Sequence, residues 1–573
     1  MTPPSLAPAA PATSLELCSP VEELYFGAAA ARGARTLYLY ADDPRAEPQA
    51  IGYDELLRRA RGAAASLQVK PGQPFLVLAT SELESISAIL GGMLLGALPV
   101  PCAPPAGLGG LSGWRTRLAE TAEALGAQLL VVPKGLASLV EGQGDGPPLP
   151  PVQLASELDR DGPGVPGLER GLSHLQLTSG STAAPKGVQI LHSNLEANLF
   201  HIGWSSGVQA EDVVVSWLPL FHDMGLVGCL LFALYWNLDL ALLPPTAFLS
   251  RPIRWLEAVD RHRGSLSPAP AFAYSYLARR LRDRDLSHLD LSSWKVAYCG
   301  AEPIHAAAVE RFCEVLAPAK FAPGTMLPCY GLAEATLAVS FNPVGRGLKK
   351  VALSRSALTE HRIVKTEDPQ DASPVVLLGP LLPEVQLELR DSHGQPVGPD
   401  RVGQVWLRGP TVTPGYQDRA PLAVAGETFP WLDTGDLGAW VDGELVVLGR
   451  SKDVIIAFGK NHSPVEFERA AESVSGVRPG ATAAFAVPDS RAGTEVPVLC
   501  CEVRAEESDW SRGAIACLVR ETATGRTGVR PHHVALLEPG SIPRTTSGKV
   551  RRAKTRDLYL SGRFAGVPSG APS

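Results

Sequence analysis

The sequence Leu177-Thr-Ser-Gly-Ser-Thr-Ala-Ala-Pro-Lys-Gly-Val188 begins at the end of HLQLT (174–178), a short run with the pattern of a strand. This order predicts a strand that opens into a loop. The loop offers four hydroxyl groups, from Thr178, Ser179, Ser181 and Thr182. It also holds a flexible glycine, Gly180, and a cation, Lys186. Amide and hydroxyl donors of this kind can bind a polyphosphate. The spacing GxxxxGK[ST] is absent, so the loop is not of the Walker A type. For the loop alone, a polar surface loop ending in a solvated lysine remains the alternative.

The chain on both sides of this loop alternates short β-rich runs with amphipathic helical patterns. PFLVLAT (74–80) precedes a helical pattern over about 81–96, and QLLVVP (128–133) and VVVSWLP (213–219) are further predicted strands. Such alternation predicts parallel sheets that are covered by helices. Residues 137–170 are rich in Gly, Pro and Asp, and we expect them to form a loop.

The last third of the chain has a different pattern. From about Gln386, short strands with turn signals follow one another and include the hairpin dipeptide Asp442-Gly443, which predicts a β-rich subdomain. After Arg450, about 110 residues mix strands such as VLCCEV with a helical pattern near 512–522. A smaller, mixed unit is therefore expected at the C-terminal end.

The composition excludes several classes of protein. The 573 residues carry a net charge of −7, without the basic surplus of nucleic-acid binders or polybasic membrane anchors. Nine cysteines without CxxC spacing favour a reduced, cytoplasmic compartment, and Cys299 is expected to be a buried strand residue. The apolar stretches 89–100 and 229–243 are shorter than the roughly 20 residues of a spanning helix. We therefore expect a cytoplasmic protein with no nucleic-acid partner and no membrane span.

Eight further blocks of sequence follow in a fixed order. They are WLPLFHDMG (217–225), FLSRPIRWL (248–256), CGAEP (299–303), YGLAEAT (330–336), DTGDLG (433–438), GRSKD (449–453), GKNHSP (459–464) and PRTTSGK (543–549). Together with the loop, they resemble the motifs of the adenylate-forming superfamily, and the first two are similar to signatures of fatty acyl-AMP ligases. Two residues depart from the family pattern: Ala183 stands where glycine is usual, and Ala271 replaces the asparagine of APNFAY.

The resemblance implies an α/β fold. It consists of a large N-terminal domain, with two helix-covered, mainly parallel sheets plus a β-barrel-like subdomain, followed by a small mobile α+β C-terminal domain. The expected segments are a disordered tail 1–14, an N-terminal adenylation domain 15–451 with its β-rich subdomain at about 380–450, a C-terminal lid domain 452–561 and a disordered tail 562–573. Lys452 would lie at the hinge of the lid; the alternative is an exposed lysine in a tight turn.

The resemblance also implies a reaction, in which a fatty carboxylate attacks the α-phosphate of ATP and pyrophosphate leaves. Because both reactants are anionic, their charges must be neutralised and aligned. Lys549 is expected to reach the carboxylate and the α-phosphate, and Glu334, with Thr182 nearby, to hold Mg²⁺. His222 would lie at the head of the carboxylate pocket. The alternatives are a solvated lysine, a helix-start glutamate and a polar packing histidine.

Other motif residues are expected to bind the nucleotide or the acyl chain. Asp436 would accept hydrogen bonds from the ribose hydroxyls, Arg450 would add donors, and Tyr330 would stack on adenine. The remaining nucleotide residues implied by the motifs are Thr178, Ser179, Gly180, Ser181, Lys186, Gly300, Ala301, Glu302 and Gly331. The acyl pocket would be lined by His222, Phe272, Tyr274 and Leu332. For the block 300–302, an ordinary strand-to-helix turn is the alternative.

The acceptor of the acyl group separates the members of the superfamily. About seventy residues lie between Thr336 and Gly403, and they include the stretches 349–358 and 361–364. This segment looks like the insertion of fatty acyl-AMP ligases, which implies transfer to the phosphopantetheine thiol of an acyl carrier protein in trans. A fatty acyl-CoA synthetase and a non-catalytic adenylate-binding homologue are the alternatives. We expect a monomer, with a basic patch for an acidic carrier formed by Arg544, Lys549, Arg551, Arg552 and Lys554.

Overall fold

The structure of the chain is a computed structural model. The residues that it describes are 19–32, 35–105, 110–140, 148–158, 162, 170–178, 186–417, 419, 422, 429–457, 460–489, 494–504, 511–545 and 548–564. The predicted tail 1–14 and the centre of the phosphate loop, 179–185, lie outside the described residues.

Helices and strands alternate along much of the described chain. The helices are α1 Pro20–Arg32, α2 Tyr53–Ser66, α3 Leu83–Leu95, α4 Gly110–Leu125, α5 Ala137–Val140, α6 His192–Ser206, α7 Asp223–Gly225, α8 Phe232–Trp236, α9 Pro245–Ser250, α10 Ile253–His262, α11 Ala271–Leu281, α12 Ala306–Leu316, α13 Arg355–Thr359, α14 Pro464–Glu472, α15 Arg512–Thr527 and α16 Arg552–Leu560. The strands are β1 Thr36–Leu39, β2 Gln49–Gly52, β3 Pro74–Leu78, β4 Leu98–Cys102, β5 Leu130–Val132, β6 Val152–Leu154, β7 Leu172–Thr178, β8 Lys186–Leu191, β9 Val213–Ser216, β10 Asp239–Leu242, β11 Leu266–Pro270, β12 Val296–Gly300, β13 Met326–Gly331, β14 Ala338–Phe341, β15 Lys350–Ser354, β16 Ala372–Val376, β17 Gln386–Arg390, β18 Gly403–Arg408, β19 Leu432–Val441, β20 Glu444–Arg450, β21 Ile455–Ala457, β22 Lys460–His462, β23 Val477–Asp489, β24 Thr494–Val503 and β25 His533–Leu537.

The first of two compact units comprises Met1–Leu348, Leu378–Gln386 and Leu407–Leu432. Its larger sheet has the strand order β14-β13-β12-β11-β9-β10-β1-β2, and the six inner strands, β13, β12, β11, β9, β10 and β1, run parallel. The two edge strands, β2 and β14, are antiparallel to their neighbours. A smaller, wholly parallel sheet has the order β4-β3-β5-β6. The strands β3, β4 and β5 are buried along their whole length, as expected for strands covered on both faces.

Helix α3 shows why the apolar stretch 89–100 does not need a membrane. The helix is buried on nearly every side, because it packs closely against α2 and the small sheet, and a helix in such a place is mostly apolar. A Cβ atom at Gly91 would lie 2.6 Å from Cβ of Ala63, and one at Gly92 would lie 2.5 Å from the Phe75 ring. The two glycines therefore allow an approach that a larger residue would block.

The second unit comprises Lys349–Leu377, Leu387–Trp406 and Asp433–Ser573. It contains the sheet β17-β18-β19-β20, the antiparallel strand pairs β15–β16 and β21–β22, and the sheet β23-β24-β25. Apolar residues of β24 alternate between two cores, so the adjacent Cys500 and Cys501 are both buried on opposite faces. Asp442 and Gly443 join β19 to β20 with φ values of 53° and 77°, as the hairpin dipeptide predicts.

The structure confirms the predicted fold class of helix-covered parallel sheets, a β-rich region and a smaller α+β part. The loop predicted over 137–170 is wrong in part, because α5 and β6 form there. Strand β6 is only three residues long, too short for a period in the sequence, and it is fixed by parallel pairing with β5. The C-terminal tail predicted from residue 562 is also wrong at its start, because Phe564 is buried beside Tyr559.

The domain boundary at 451/452 stays a prediction. The two compact units divide the chain differently, since the segment 349–377 and most of β17 to β20 group with the C-terminal residues. Within the described part of the chain, no helix is both long and apolar enough to cross a membrane. Cys299 is fully buried in β12, as expected, and burial raises the pKa of its thiol well above the usual value.

Candidate active site

Several predicted site residues of the first unit lie at one edge of the larger sheet. They are found at or just after the carboxyl ends of β9, β11, β12 and β13, namely His222, Phe272, Gly300–Glu302 and Tyr330–Glu334. Because these strands are parallel, their carboxyl ends meet along one edge, which is where open α/β sheets bind ligands.

The phosphate loop is anchored by the hairpin β7–β8. Thr178 ends β7, Lys186 begins β8, and the two residues are register partners. Ser179, Gly180, Ser181 and Thr182 lie outside the described residues, so their phosphate contacts stay predictions. Among the described residues, no carboxylate pairs with the Lys186 ammonium, whose contact is the ring of Tyr416, 5.4 Å from the ring centroid.

Tyr416 connects the phosphate hairpin to Glu334. Its hydroxyl donates a hydrogen bond to Glu334 Oε1 at 3.0 Å, while its ring lies beside Lys186. The sequence analysis did not identify Tyr416. The sequence carries no local signal for its role, because the contact depends on how residues 411–417 pair with β8.

Glu334 offers a donor suited to Mg²⁺. Its carboxylate is partly exposed, and Oε2 has no hydrogen-bond partner within the described part of the chain. A hard oxygen donor that leaves room for water and substrate phosphates is what Mg²⁺ requires, so this residue fits the ion. The second predicted ligand, Thr182, is outside the described residues.

His222 begins a helical segment that continues as α7, a π-helical turn Leu226–Leu231 and α8. Its Nδ1 lies 2.8 Å from a carboxylate oxygen of Asp223, a contact that fixes the ring and favours a proton on Nδ1. Gln176 of β7 donates its amide to the carbonyl of Phe221 at 3.0 Å. Gln176 thus joins the strand before the phosphate loop to the backbone before His222. The sequence analysis did not identify Gln176, and the only signal for it is a polar residue between two leucines of a predicted strand.

The adenine block Gly300–Glu302 forms a tight turn. Ala301 has φ of 65°, and a Cβ atom at Gly300 would lie 2.7 Å from the carbonyl oxygen of Cys329. Glu302 Oε1 accepts the backbone N–H of Phe272 at 2.5 Å, which places a negative charge at the start of α11. The Glu302 carboxylate therefore has a structural partner, and its proposed contact with adenine rests on the turn itself.

At the end of β13, the structure leaves Tyr330 and Gly331 partly exposed beside a β-bulge. A Cβ atom at Gly331 would lie 1.8 Å from the carbonyl oxygen of Leu337, so no other residue fits this position without a shift of the backbone. The bulge brings the chain sharply into the turn that carries Glu334.

The residues predicted for the acyl pocket differ in exposure. Phe272 and Leu332 are partly exposed, and the rings of Phe272 and Trp217 are T-shaped to each other with their centroids 6.3 Å apart. Tyr274 is fully buried, and its hydroxyl donates to the carbonyl of Tyr298 at 2.7 Å. The Tyr274 ring therefore belongs to the packed core. Its burial does not support the prediction that it lines the acyl pocket.

In the second unit, Asp436 and Arg450 are register partners in β19 and β20. Arg450 Nε lies 2.8 Å from Asp436 Oδ1, and Nη1 donates to the carbonyl of Thr434 at 2.9 Å. Asp436 is buried, whereas the Arg450 side chain is 55% exposed. Lys452 follows in a short 3₁₀ turn and is exposed.

Lys549 lies in a hairpin turn that Arg544 stabilises. Arg544 donates to the carbonyls of Gly548 and Gly480, and the backbones of Thr545 and Lys549 bond to each other. In the part of the chain that the structure describes, the Lys549 ammonium has no hydrogen-bond or ion-pair partner. A lysine held by its backbone with its charge uncommitted can respond to an anionic ligand.

The predicted basic patch is wrong at Arg552. Its guanidinium binds Glu468 with two contacts of 2.7 Å and Asp453 at 3.0 Å. Burial opposes the charge, but the two carboxylates outweigh it and raise the pKa of Arg552 above its usual range. Arg552 therefore joins α16 to α14 and to the turn after Lys452, and its charge is already neutralised.

Comparisons with known proteins agree with this arrangement. The family of AMP-binding enzymes matches residues 26–417. A Caulobacter vibrioides protein that carries the provisional name of an acyl-CoA synthetase is 34% identical and covers 95% of each chain. The medium-chain-fatty-acid–[acyl-carrier-protein] ligase JamA of Moorena producens is 33% identical and covers 93% of each chain. A solved structure from a study of fatty acyl-adenylate ligases of E. coli and L. pneumophila is 32% identical, with a TM-score of 0.87 over 96% of this chain and 99% of that one.

The parallel-sheet edge and the phosphate hairpin of the first unit, taken with these comparisons, define an adenylate-forming ligase. This chain belongs to the AMP-binding enzyme family, and the resemblance to fatty acyl-AMP ligases is confirmed.

Proposed function

We propose that this protein activates a fatty acid and loads it onto an acyl carrier protein. In the first step, the fatty carboxylate attacks the α-phosphate of ATP, the bond to the β-phosphate oxygen breaks, and acyl-AMP and pyrophosphate form. In the second step, the phosphopantetheine thiol of the carrier attacks the acyl carbonyl, and AMP leaves as the thioester forms. The fold and the agreement with JamA and with the fatty acyl-adenylate ligases support both steps.

The first step depends on charge neutralisation, and the two cations proposed for it are available. Lys186 and Lys549 carry ammonium groups that no carboxylate neutralises within the described residues. Lys186 would act on the phosphates beside its own loop, and Lys549 on the α-phosphate and the carboxylate. Glu334 would hold Mg²⁺, which would neutralise negative charge on the phosphates, and His222 would orient the fatty carboxylate.

The acceptor is inferred from the second unit taken alone. There the segment 349–377 packs on the C-terminal residues: Ser373 Oγ donates to Glu466 Oε1 of α14 at 3.0 Å, and His361 Nε2 lies 2.8 Å from Asn461 Nδ2 of β22. This is the structural observation that favours a carrier protein as acceptor, because a lid tethered to the insertion would not turn freely at Lys452 into the pose that coenzyme A needs.

Glu466 is the centre of this tether. Burial disfavours its charge, but the guanidiniums of Arg469 and Arg526, at 3.3 and 3.1 Å, outweigh burial and hold the pKa of Glu466 below its usual value. Arg355 of the insertion lies 3.8 Å from the same carboxylate. The carboxylate is thus ionised at neutral pH and bonded from both the insertion and the C-terminal residues.

Coenzyme A is the second candidate acceptor, favoured by the provisional name of the Caulobacter vibrioides relative. We also propose that the protein acts as a monomer in the cytoplasm and that the carrier binds in trans.

The decisive experiment incubates the enzyme with ATP, Mg²⁺, a panel of fatty acids and either a holo-acyl carrier protein or coenzyme A. We expect acyl-AMP with several acids and acyl transfer to the carrier. Abundant acyl-CoA would contradict the proposed acceptor, and absence of acyl-AMP with every acid would contradict the proposed reaction.

A further inference from the structure

Residues 411–417 cross from the turn after β13 to the phosphate hairpin. At one end, Thr336 Oγ1 donates to the carbonyl of Thr411, and the N–H of Thr413 donates to the carbonyl of Glu334 at 2.9 Å. At the other end, the N–H of Gln189 donates to the carbonyl of Gly415 at 3.0 Å, and Tyr416 forms a β-bridge with Val188. The position of Tyr416 is therefore fixed by backbone bonds on both sides.

From this position, the Tyr416 hydroxyl acts on one oxygen of Glu334. The hydroxyl donates to Oε1 at 3.0 Å and leaves Oε2 with no partner in the described part of the chain. A carboxylate held through one oxygen keeps the direction of its other oxygen, which is the one that a divalent cation would meet.

The Tyr416 ring serves a second group. Lys186 Nζ lies 5.4 Å from the ring centroid, and the Arg419 guanidinium lies 5.7 Å from it. A cation on an aromatic face keeps its full charge, whereas a carboxylate partner would neutralise it. The ring thus holds the Lys186 ammonium beside the phosphate loop and leaves its charge available to a phosphate.

We propose that Tyr416 is a positioning residue for adenylate formation, with its hydroxyl orienting Glu334 for the divalent cation and its ring holding Lys186 for the phosphates. This inference rests on the roles given to Glu334 and Lys186 in the proposed function. It adds a residue that lies outside the eight motif blocks and the phosphate loop.

Two substitutions separate the two roles of Tyr416. Tyr416→Phe removes only the hydroxyl, and Tyr416→Leu removes the ring as well. The matched control is Tyr276→Phe, because the Tyr276 hydroxyl donates to the carbonyl of Leu249 at 2.9 Å and its ring lies 5.7 Å from the Arg280 guanidinium. Tyr276 has the same two kinds of contact and no part in the proposed site.

The first readout is a binding measurement: the rise in melting temperature when Mg²⁺ is added to the enzyme with ATP, over ATP alone. The second is the Mg²⁺ concentration that gives half-maximal pyrophosphate exchange. We expect Tyr416→Phe to lose most of the Mg²⁺-dependent rise and to need about five- to tenfold more Mg²⁺, with ATP affinity without Mg²⁺ unchanged. Tyr416→Leu should also weaken ATP binding without Mg²⁺, and Tyr276→Phe should match the unsubstituted enzyme.

Glu334→Gln distinguishes a failure of this inference from a failure of the proposed function. If Glu334→Gln keeps the Mg²⁺-dependent rise in melting temperature, the role proposed for Glu334 is wrong. If Glu334→Gln loses the rise and Tyr416→Phe keeps it, only the role of Tyr416 is wrong. Should Tyr416→Phe fail to fold, Glu334→Asp is used instead, because the shorter side chain moves the carboxylate away from the Tyr416 hydroxyl. An unchanged Mg²⁺ requirement in that variant would overturn the inference.

Discussion

Arg450 Nε lies 2.8 Å from Asp436 Oδ1, directly across the β19–β20 ladder. The pair combines a buried carboxylate with a guanidinium that is 55% exposed, so the arginine fixes the acid from the solvent side. For a residue proposed to accept hydrogen bonds from ribose hydroxyls, this contact sets the direction of the oxygen atoms before the nucleotide arrives.

Arg450→Lys should therefore weaken ATP binding although the charge is kept. A lysine cannot bond Asp436 and the Thr434 carbonyl at once. We expect the KM for ATP in pyrophosphate exchange to rise about five- to tenfold, or ~1 kcal/mol. The matched control is Arg390→Lys in β17, since Arg390 bonds Glu388 at 2.9 Å in the same unit. Equal KM values for both variants would remove the role given to Arg450.

The Glu466 tether predicts a change of acceptor. Glu466→Gln keeps the shape of the side chain and removes the charge that Ser373 and Arg355 of the insertion contact, so the insertion should separate from α14 more easily. We expect acyl-CoA formation to rise about tenfold while the rate of acyl-AMP formation stays within about twofold. Lys365→Gln is the control, because Lys365 pairs with Asp442 and ties the insertion to the β19–β20 turn and not to α14. If coenzyme A turnover rises equally in both variants, the tether is not what limits it.

Glu472 predicts a pH dependence of stability. Burial raises the pKa of Glu472 from its ordinary value of 4.5 to about 7, although Thr482 Oγ1 donates to it at 2.6 Å. The folded state therefore holds the proton more tightly than the unfolded state. The stabilisation is complete below about pH 4.5 and is lost as the pH rises through about 7.

Glu472→Gln, which stays neutral, should equal the unsubstituted protein near pH 4 and be more stable by about 3 kcal/mol at pH 8. Melting temperatures of both proteins from pH 4 to pH 8 check this, since the difference should widen across that range. A difference that is constant with pH would mean that Glu472 does not titrate there.

Much of the first unit follows from local patterns in the sequence. β3, α3 and β9 lie where alternation and motif position predict them, and parallel strands bring His222, Gly300 and Glu334 to one edge. What local patterns cannot supply is a partner far along the chain. Arg552 counted as part of a basic patch because Glu468, 84 residues away, is not visible from its neighbours.

Tyr416 illustrates the same limit for the candidate site. The position of Tyr416 depends on the register of residues 411–417 against β8, and its hydrogen-bond partner Glu334 is 82 residues away along the chain. The Ser373–Glu466 contact spans 93 residues. Motifs identify the residues that are proposed to bind the ligand, whereas contacts between distant residues, such as these two, become visible only when the sheets are assembled.

Gly203 and Trp236 predict a coupled effect on stability near α8. The Trp236 indole N–H donates to the carbonyl of Leu199 at 2.8 Å, and a Cβ atom at Gly203 would lie 2.2 Å from the Trp236 ring. Gly203→Ala should cost about 1–3 kcal/mol, because the ring must leave its rotamer. In the double variant with Trp236→Leu, the cost of the alanine should fall below about 1 kcal/mol, measured by thermal unfolding. Additive effects would show that the ring has room to move.

The central claim is that Lys549 drives formation of a fatty acyl adenylate. The most direct test is mass-spectrometric measurement of acyl-AMP from ATP and a fatty acid, comparing the unsubstituted enzyme with Lys549→Ala and with Lys554→Ala, an exposed lysine of α16. We predict that Lys549→Ala lowers the rate about 10²–10³-fold with an unchanged melting temperature, and that Lys554→Ala has no effect. Equal rates of acyl-AMP formation in Lys549→Ala and the unsubstituted enzyme would contradict the account.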